Sequence, residues 1–127
     1  MAKTLATVLG IVYVAMGVLG FIDTGIVGTA GFFAADALYS AVFVVIGAVL
    51  LVGAFLATNR TRGINVTVGA LLALIALSGF LMVPDRGEML GMLVNGADHW
   101  LNLLAGLVLL GSGLMERGRV GRLAHSM

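Results

Sequence analysis

The chain reads as four long apolar runs separated by short polar segments. Apolar residues fill about 5–22 (LATVLGIVYVAMGVLGFI), about 37–57 (ALYSAVFVVIGAVLLVGAFLA), about 64–83 (INVTVGALLALIALSGFLMV) and about 97–115 (ADHWLNLLAGLVLLGSGLM). Each approaches the roughly 20 residues that a helix needs to cross the hydrocarbon core of a bilayer. The runs are continuous, whereas a membrane β-barrel is built from alternating segments of about 10 residues. The pattern predicts four transmembrane helices. A signal peptide is the competing reading of the first run, because Lys3 precedes an apolar core. That core exceeds the roughly 7–15 residues of a signal sequence, and no small-x-small cleavage pattern follows closely, so a retained span is expected.

The basic residues then orient the spans. Lys3 precedes the first, Arg60 and Arg62 separate the second from the third, and Arg117, Arg119 and Arg122 follow the fourth. All of these fall on one side of a four-span chain. The other side holds Arg86 together with Asp23, Asp36, Asp85, Glu88 and Asp98. Lys and Arg stay cytoplasmic, and acidic residues contribute little to the rule. Both termini are therefore expected in the cytoplasm, in a multi-pass protein of the plasma (inner) membrane. The short link around Thr58–Gly63 makes the second and third spans antiparallel neighbours. The segment from Asp23 to Asp36, with Gly25, Gly28, Gly31, Phe32 and Phe33, is expected to be flexible and to lie on the interface. Pro84-Asp85-Arg86-Gly87 reads as a turn. The basic tail, residues 116–127, either lies on anionic lipid, at about 1 kcal/mol per basic residue near the surface, or is solvated.

An offset of 59 residues superposes the two halves of the chain. Gly10 meets Gly69, Gly20 meets Gly79, Phe21 meets Phe80, Gly28 meets Gly87 and Gly47 meets Gly106. Val49, Leu50 and Leu51 fall on Val108, Leu109 and Leu110, and Lys3 on Arg62. One gap-free offset that aligns glycines in both spans of each half favours duplication over chance. Halves of two spans enter the membrane from the same side, so the repeat is parallel. The expected fold is an all-α integral membrane protein: a single domain, residues 1–127, with four transmembrane helices in a bundle of two parallel two-helix repeats, about 1–59 and 60–118. Lipid supplies no hydrophobic drive between helices, so small residues are needed for close packing. Gly10, Gly17, Gly20, Gly47, Gly69 and Gly106 are the expected helix-packing positions.

Composition removes whole classes of function. Of 127 residues, 61% are hydrophobic and 10% charged, with a mean hydropathy of +1.14. A soluble domain is about half apolar and about a quarter charged, so this chain could not cover its own surface in water. A net charge of +1 gives no electrostatic footprint for nucleic acid. The absence of cysteine removes disulfides, thiolate metal sites and iron–sulfur clusters.

Polar chemistry gathers at the start of the fourth span. Asn95, His99, Asn102 and Gly106 follow spacings of four, three and four, and Asp98 stands four before Asn102. Intramembrane polar residues usually face a bundle interior. Asn95, Asp98, His99 and Asn102 thus form a candidate polar site, in which Asp98 and His99 could act as a proton or cation handle. The simpler reading is structural. Asp98 caps the first turn of a helix, as Asp36 does at the second span. Trp100 sits in the aromatic belt, and Asn102 bonds across to Tyr39 or Ser40. His99 and His125 fall on opposite sides of the membrane and cannot share a metal or haem. Tyr13, Asn65, Thr67 and Ser78 are isolated and are expected to satisfy local or interhelical bonds. The methionines, including Met82, Met89 and Met92, lack the tight repeated pattern of copper handling. No catalytic set, metal or cofactor is expected.

The residues VLGIVYVAMGVLGFI and VNGADHWLNLLAGLVLLGSGL resemble small bacterial four-helix membrane proteins catalogued as a domain of unknown function, the family numbered four-three-eight-three. The resemblance covers nearly the whole chain. It rests on the Gly-Phe that ends the first helix, on Asn-x-x-Asp-x-Trp-Leu, and on a glycine one turn after the motif. The family pattern carries His at the positions held here by Asn102 and Phe43, so a role for those histidines does not carry over. The resemblance implies the fold and brings no activity. The expected function is that of a non-enzymatic packing or accessory subunit, as a homo-oligomer or with other membrane proteins. The alternatives are a small transporter or channel component with an outward-facing polar site, and a quinone- or haem-binding redox subunit near His99 and Trp100.

Overall fold

A computed structural model describes residues 2–56 and 58–126, with the side chains of 58 and 115–126 set aside. The expected contact of the basic tail with lipid, and His125 with it, lie outside the described side chains. The chain is mostly helical. Helix α1 runs Ala2–Ile22, α2 Ala37–Phe55, α3 Thr61–Met82 and α4 Gly96–Ser126, with a 3-10 turn at Thr58–Arg60 between α2 and α3. Among the described residues, three helices, α1, α2 and α3, are long and apolar enough to cross a membrane, with mean hydropathies of 2.3, 2.5 and 2.2. The polar first turns of α4 dilute its apolar run.

Two helix pairs make up the bundle, α1 with α2 and α3 with α4. Their crossings are glycine on glycine. A Cβ placed on Gly47 would lie 2.6 Å from the carbonyl oxygen of Gly10, and one on Gly106 would lie 2.7 Å from that of Gly69. Further along α1, a Cβ on Gly17 would lie 2.6 Å from the Ser40 carbonyl oxygen, and Gly20 faces the Ser40 hydroxyl. Such approaches bring backbones into van der Waals contact, which is what helix association needs when water does not drive it. Tyr13, Phe43, Leu50, Leu72 and Leu109 fill the interior. Large apolar side chains such as Ile11, Val45, Leu74, Leu81 and Leu107 stand exposed on the outside. Away from the loops, the Asn65 amide donates to the Ala2 carbonyl at 2.9 Å, and the Thr61 hydroxyl donates to the Gly53 carbonyl across the α2–α3 link.

Both long connections carry short paired strands that the sequence pattern does not predict. In the segment between α1 and α2, β1 (Val27–Gly28) pairs in parallel with β2 (Phe33–Ala34). Short-range bonds support the pairing. The Thr29 amide donates to Asp23 Oδ1 at 2.7 Å, and the Thr24 hydroxyl bonds the backbone of Val27 in both directions. Asp23 adopts a left-handed conformation at φ 64, which Asp tolerates better than most residues. Between α3 and α4, Arg86 and Gly87 open a strand. Here β3 (Arg86–Met89) pairs antiparallel with β4 (Met92–Asn95). The tight turn lies instead at Leu90-Gly91, with φ of 56 and 78, as in a two-residue hairpin loop with both central residues left-handed. Leucine at the first of these positions hides the signal that Asn-Gly or Asp-Gly would have given.

Candidate functional site

The polar cluster is built from the first turns of α4. Asn95 is the residue before the helix. Its Oδ1 accepts from the Asp98 amide at 3.1 Å, and Asp98 Oδ2 accepts from the Asn95 amide at 3.1 Å. This reciprocal cap satisfies two amides that a helix start leaves open. Asp98 is 0% exposed, and its other oxygen, Oδ1, has no hydrogen-bond partner.

One turn on, Asn102 ties three helices together. Its Oδ1 accepts from the Tyr13 hydroxyl of α1 at 2.7 Å. Its Nδ2 donates to the Tyr39 hydroxyl of α2 at 2.7 Å. Phe43 seats both rings, stacked on Tyr39 at 4.4 Å and tilted against Tyr13 at 5.6 Å between centroids. Asn102 is 1% exposed.

His99 turns the other way, toward α3. Its Nε2 lies 2.5 Å from the Val83 carbonyl. A carbonyl can only accept, so Nε2 donates, while Nδ1 is buried without a partner. The ring occupies the space that a side chain on Gly79 would take. Phe80 packs edge-on against it at 5.4 Å and against the exposed Trp100 at 5.2 Å.

The two connections close over this end of the bundle. Arg86 donates to the carbonyls of Thr29 at 2.8 Å and Gly31 at 2.7 Å. The Asn95 amide group donates to Phe32 O at 2.8 Å. Asp36 caps α2 by accepting from the Tyr39 amide at 2.9 Å, and its second oxygen accepts from the Leu93 amide at 3.2 Å. Arg86→Ala should release this seam. Amide hydrogen exchange across 29–34 is then expected to accelerate at least tenfold, while amides in the middle of α1 and α3 keep their protection, because the guanidinium supplies two charge-assisted bonds to the loop.

The four residues singled out in the sequence therefore separate by role. Asp98 and Asn102 face α1 and α2, His99 faces α3, and Asn95 stands ahead of the helix in its cap. No hydrogen bond joins Asp98 to His99, whose Nε2 is taken by Val83. Asn102 bonds Tyr39, as its depth suggests, and not Ser40, whose hydroxyl is buried beside Gly20 without a partner. Tyr13 joins the cluster although its sequence surroundings name no partner for it. Arg86 joins the seam, and a lone basic residue among carboxylates was its only sequence signal. Among the described residues no three His, Cys, Asp or Glu side chains gather as a metal site would require. A recess of about 290 Å³ lies apart from the cluster, lined by Leu74, Ile75, Ser78, Met82, Met89 and Leu90.

The family model described as Domain of unknown function (DUF4383) matches residues 3–115 of the chain. No curated protein and no solved structure matches it.

Proposed function

The chain belongs to the family of this domain of unknown function, and from that premise we propose that it is a multi-pass membrane protein serving as a non-enzymatic packing or accessory subunit. It acts as a homo-oligomer or within a larger complex of the inner membrane. All four helices cross, with both termini cytoplasmic and the loops 23–36 and 83–95 outside. The observation that carries this reading is the inversion of polarity. Tyr13, Tyr39, Asn65, Asp98, His99 and Asn102 are buried, while Ile11, Val45, Leu74 and Leu107 are exposed. Such a surface suits lipid or another membrane helix.

The duplication draws support from the same geometry. The Gly10–Gly47 crossing has its counterpart, 59 residues on, in Gly69–Gly106. Asp36 and Asn95, the caps of α2 and α4, stand at the same offset, as do Ser40 against Gly20 and His99 against Gly79. The rival readings gain less. An open outer vestibule fits poorly with Asp98 and His99 at 0% exposure, and a haem ligand at His99 Nε2 would have to displace the Val83 carbonyl.

The test is extraction from native membranes into lipid particles without detergent, followed by mass spectrometry of the intact particle. A stoichiometric protein partner, or a second copy of the chain, is expected. A lone monomer in every preparation, also after gentle cross-linking in the membrane, defeats the proposal.

A further inference from the structure

Four buried polar atoms lack a partner among the described residues, Ser40 Oγ, Asn65 Oδ1, His99 Nδ1 and Asp98 Oδ1, and the last of these belongs to a carboxylate for which the accessory role has no use. A carboxylate oxygen sealed from solvent and lacking a donor is strongly unfavourable unless something neutralises or solvates it. The surrounding groups narrow what that can be. Tyr13 donates to Asn102, and Asn102 donates to Tyr39. The Tyr39 oxygen thereby accepts, and its own hydrogen has no acceptor in the cluster. Both tyrosine hydroxyls lie within electrostatic reach of Asp98. The donors of the chain thus run in one direction, from Tyr13 through Asn102 to Tyr39, and Asp98 Oδ1, the one carboxylate oxygen among the buried unpartnered atoms of the described residues, lies within electrostatic reach of their end.

The other charges facing this point are committed elsewhere. Arg86, from β3, is close enough to feel the carboxylate, yet its guanidinium is bound to two loop carbonyls. Both oxygens of Asp36, at the start of α2, accept backbone amides. His99, next to Asp98 on α4, is turned to Val83. The one ionisable residue of α3, Arg62, lies in its first turn at the opposite end of the bundle. A metal ion would need several ligands, and among the described residues no three His, Cys, Asp or Glu side chains gather at this point. A proton needs only one.

We propose that Asp98 is an occluded proton-binding site. The carboxylate takes up one proton from water at the loop end of the bundle, becoming a neutral acid, and returns it the same way. Tyr39 serves both states. No hydrogen bond joins Tyr39 to Asp98 in the structure, where Oδ1 is unpartnered; rotation of either side chain would let the Tyr39 hydroxyl donate to the carboxylate or accept from the acid, since a phenol both donates and accepts. The hydrogen-bonded chain ends at Tyr13. Beyond it lie Phe43, Leu50, Leu72 and Leu109, each 0% exposed. This apolar plug makes the site one-sided, so it senses or stores a proton without conducting it across the bundle.

Infrared difference spectroscopy of the purified protein in liposomes, acid minus alkaline, tests the assignment. A protonated-carboxyl C=O band is expected in the wild type and lost in Asp98→Asn. In Tyr39→Phe the band should persist but move to higher wavenumber, because the acid loses a hydrogen-bond partner. If Asp98→Asn does not fold, labelling the wild type with carboxyl-¹³C aspartate assigns the band through its downshift, read together with Tyr39→Phe. A difference spectrum with no aspartate band that responds to Tyr39→Phe, across the pH range in which the bundle stays folded, overturns the proposal. Proton flux through liposomes above the empty-vesicle rate, abolished by Asp98→Asn, overturns its one-sided character.

Discussion

Gly106→Ala is expected to lower the stability of the bundle by about 2 kcal/mol, and Gly106→Leu to prevent α3 and α4 from closing at all. The added Cβ meets backbone on the facing helix, the Gly69 carbonyl oxygen at 2.7 Å and the Ala73 amide nitrogen at 2.8 Å. Backbone cannot rotate away as a side chain can. Relief requires the helices to separate along their length, and overpacking of this kind costs about 1–3 kcal/mol or more. Alanine returns part of that through its better helix propensity, up to about 1 kcal/mol, which is why leucine gives the cleaner result. Gly47→Ala and Gly47→Leu should behave alike in the α1–α2 pair, where the added Cβ meets Gly10 O at 2.6 Å and Val14 N at 2.7 Å. Gly111 supplies the control. It sits in α4, and among the described residues nothing beyond its own helix backbone and chain neighbours comes within 4 Å of the Cβ position, so Gly111→Ala should be neutral or slightly stabilising. Thermal unfolding in detergent, followed by circular dichroism, separates the three outcomes. Equal midpoints for Gly106→Leu and Gly111→Ala would mean that the glycine crossings do not hold the pairs together.

The helices were legible because each apolar run is long, continuous and bounded by polar residues, and that pattern leaves few alternatives. Their ends moved by a few residues, since polar first turns such as Thr61-Arg62-Gly63 in α3 are helical without being apolar. The connections were not legible. Glycine in a loop signals backbone freedom, yet side-chain bonds from Asp23, Thr24 and Arg86 decide whether that freedom is used. These bonds link residues up to 57 apart in sequence, beyond the reach of local pattern. The polar site was half legible. Asp98 and Asn102 stand four apart, and such residues stack on one helix face. The spacings of four and three from Asn95 through His99 to Asn102 set His99 on that face as well. Consecutive residues on a helix point about 100° apart, and that rotation sends His99 to α3. Tyr13 could not be paired, because a single hydroxyl in an apolar run says nothing about which helix faces it.

Tyr13 also defines the second large effect. Asn102→Leu keeps the volume of the side chain and should still cost roughly 2–4 kcal/mol, with roughly 1–3 kcal/mol for each buried polar group left stranded. The Tyr13 hydroxyl loses its acceptor and the Tyr39 oxygen its donor, in a core where neither can reach water, since they are 0% and 2% exposed. Hydrogen bonds between membrane helices average only about 0.6 kcal/mol when both partners can find substitutes. The size of the loss therefore reports how well this core is sealed. The triple variant with Asn102→Leu, Tyr13→Phe and Tyr39→Phe decides the matter. If the penalty comes from stranded hydroxyls, removing them restores most of the stability, because deleting every partner of a buried network is far milder than deleting one. If the triple variant is as unstable as Asn102→Leu alone, shape and not hydrogen bonding is what Asn102 contributes. Unfolding midpoints of Asn102→Leu, Tyr13→Phe, Tyr39→Phe and the triple variant, measured in one detergent, are sufficient. Recovery in the triple variant would also show that Phe43 and the two rings can close the interior by packing alone, leaving the polar chain free to serve Asp98.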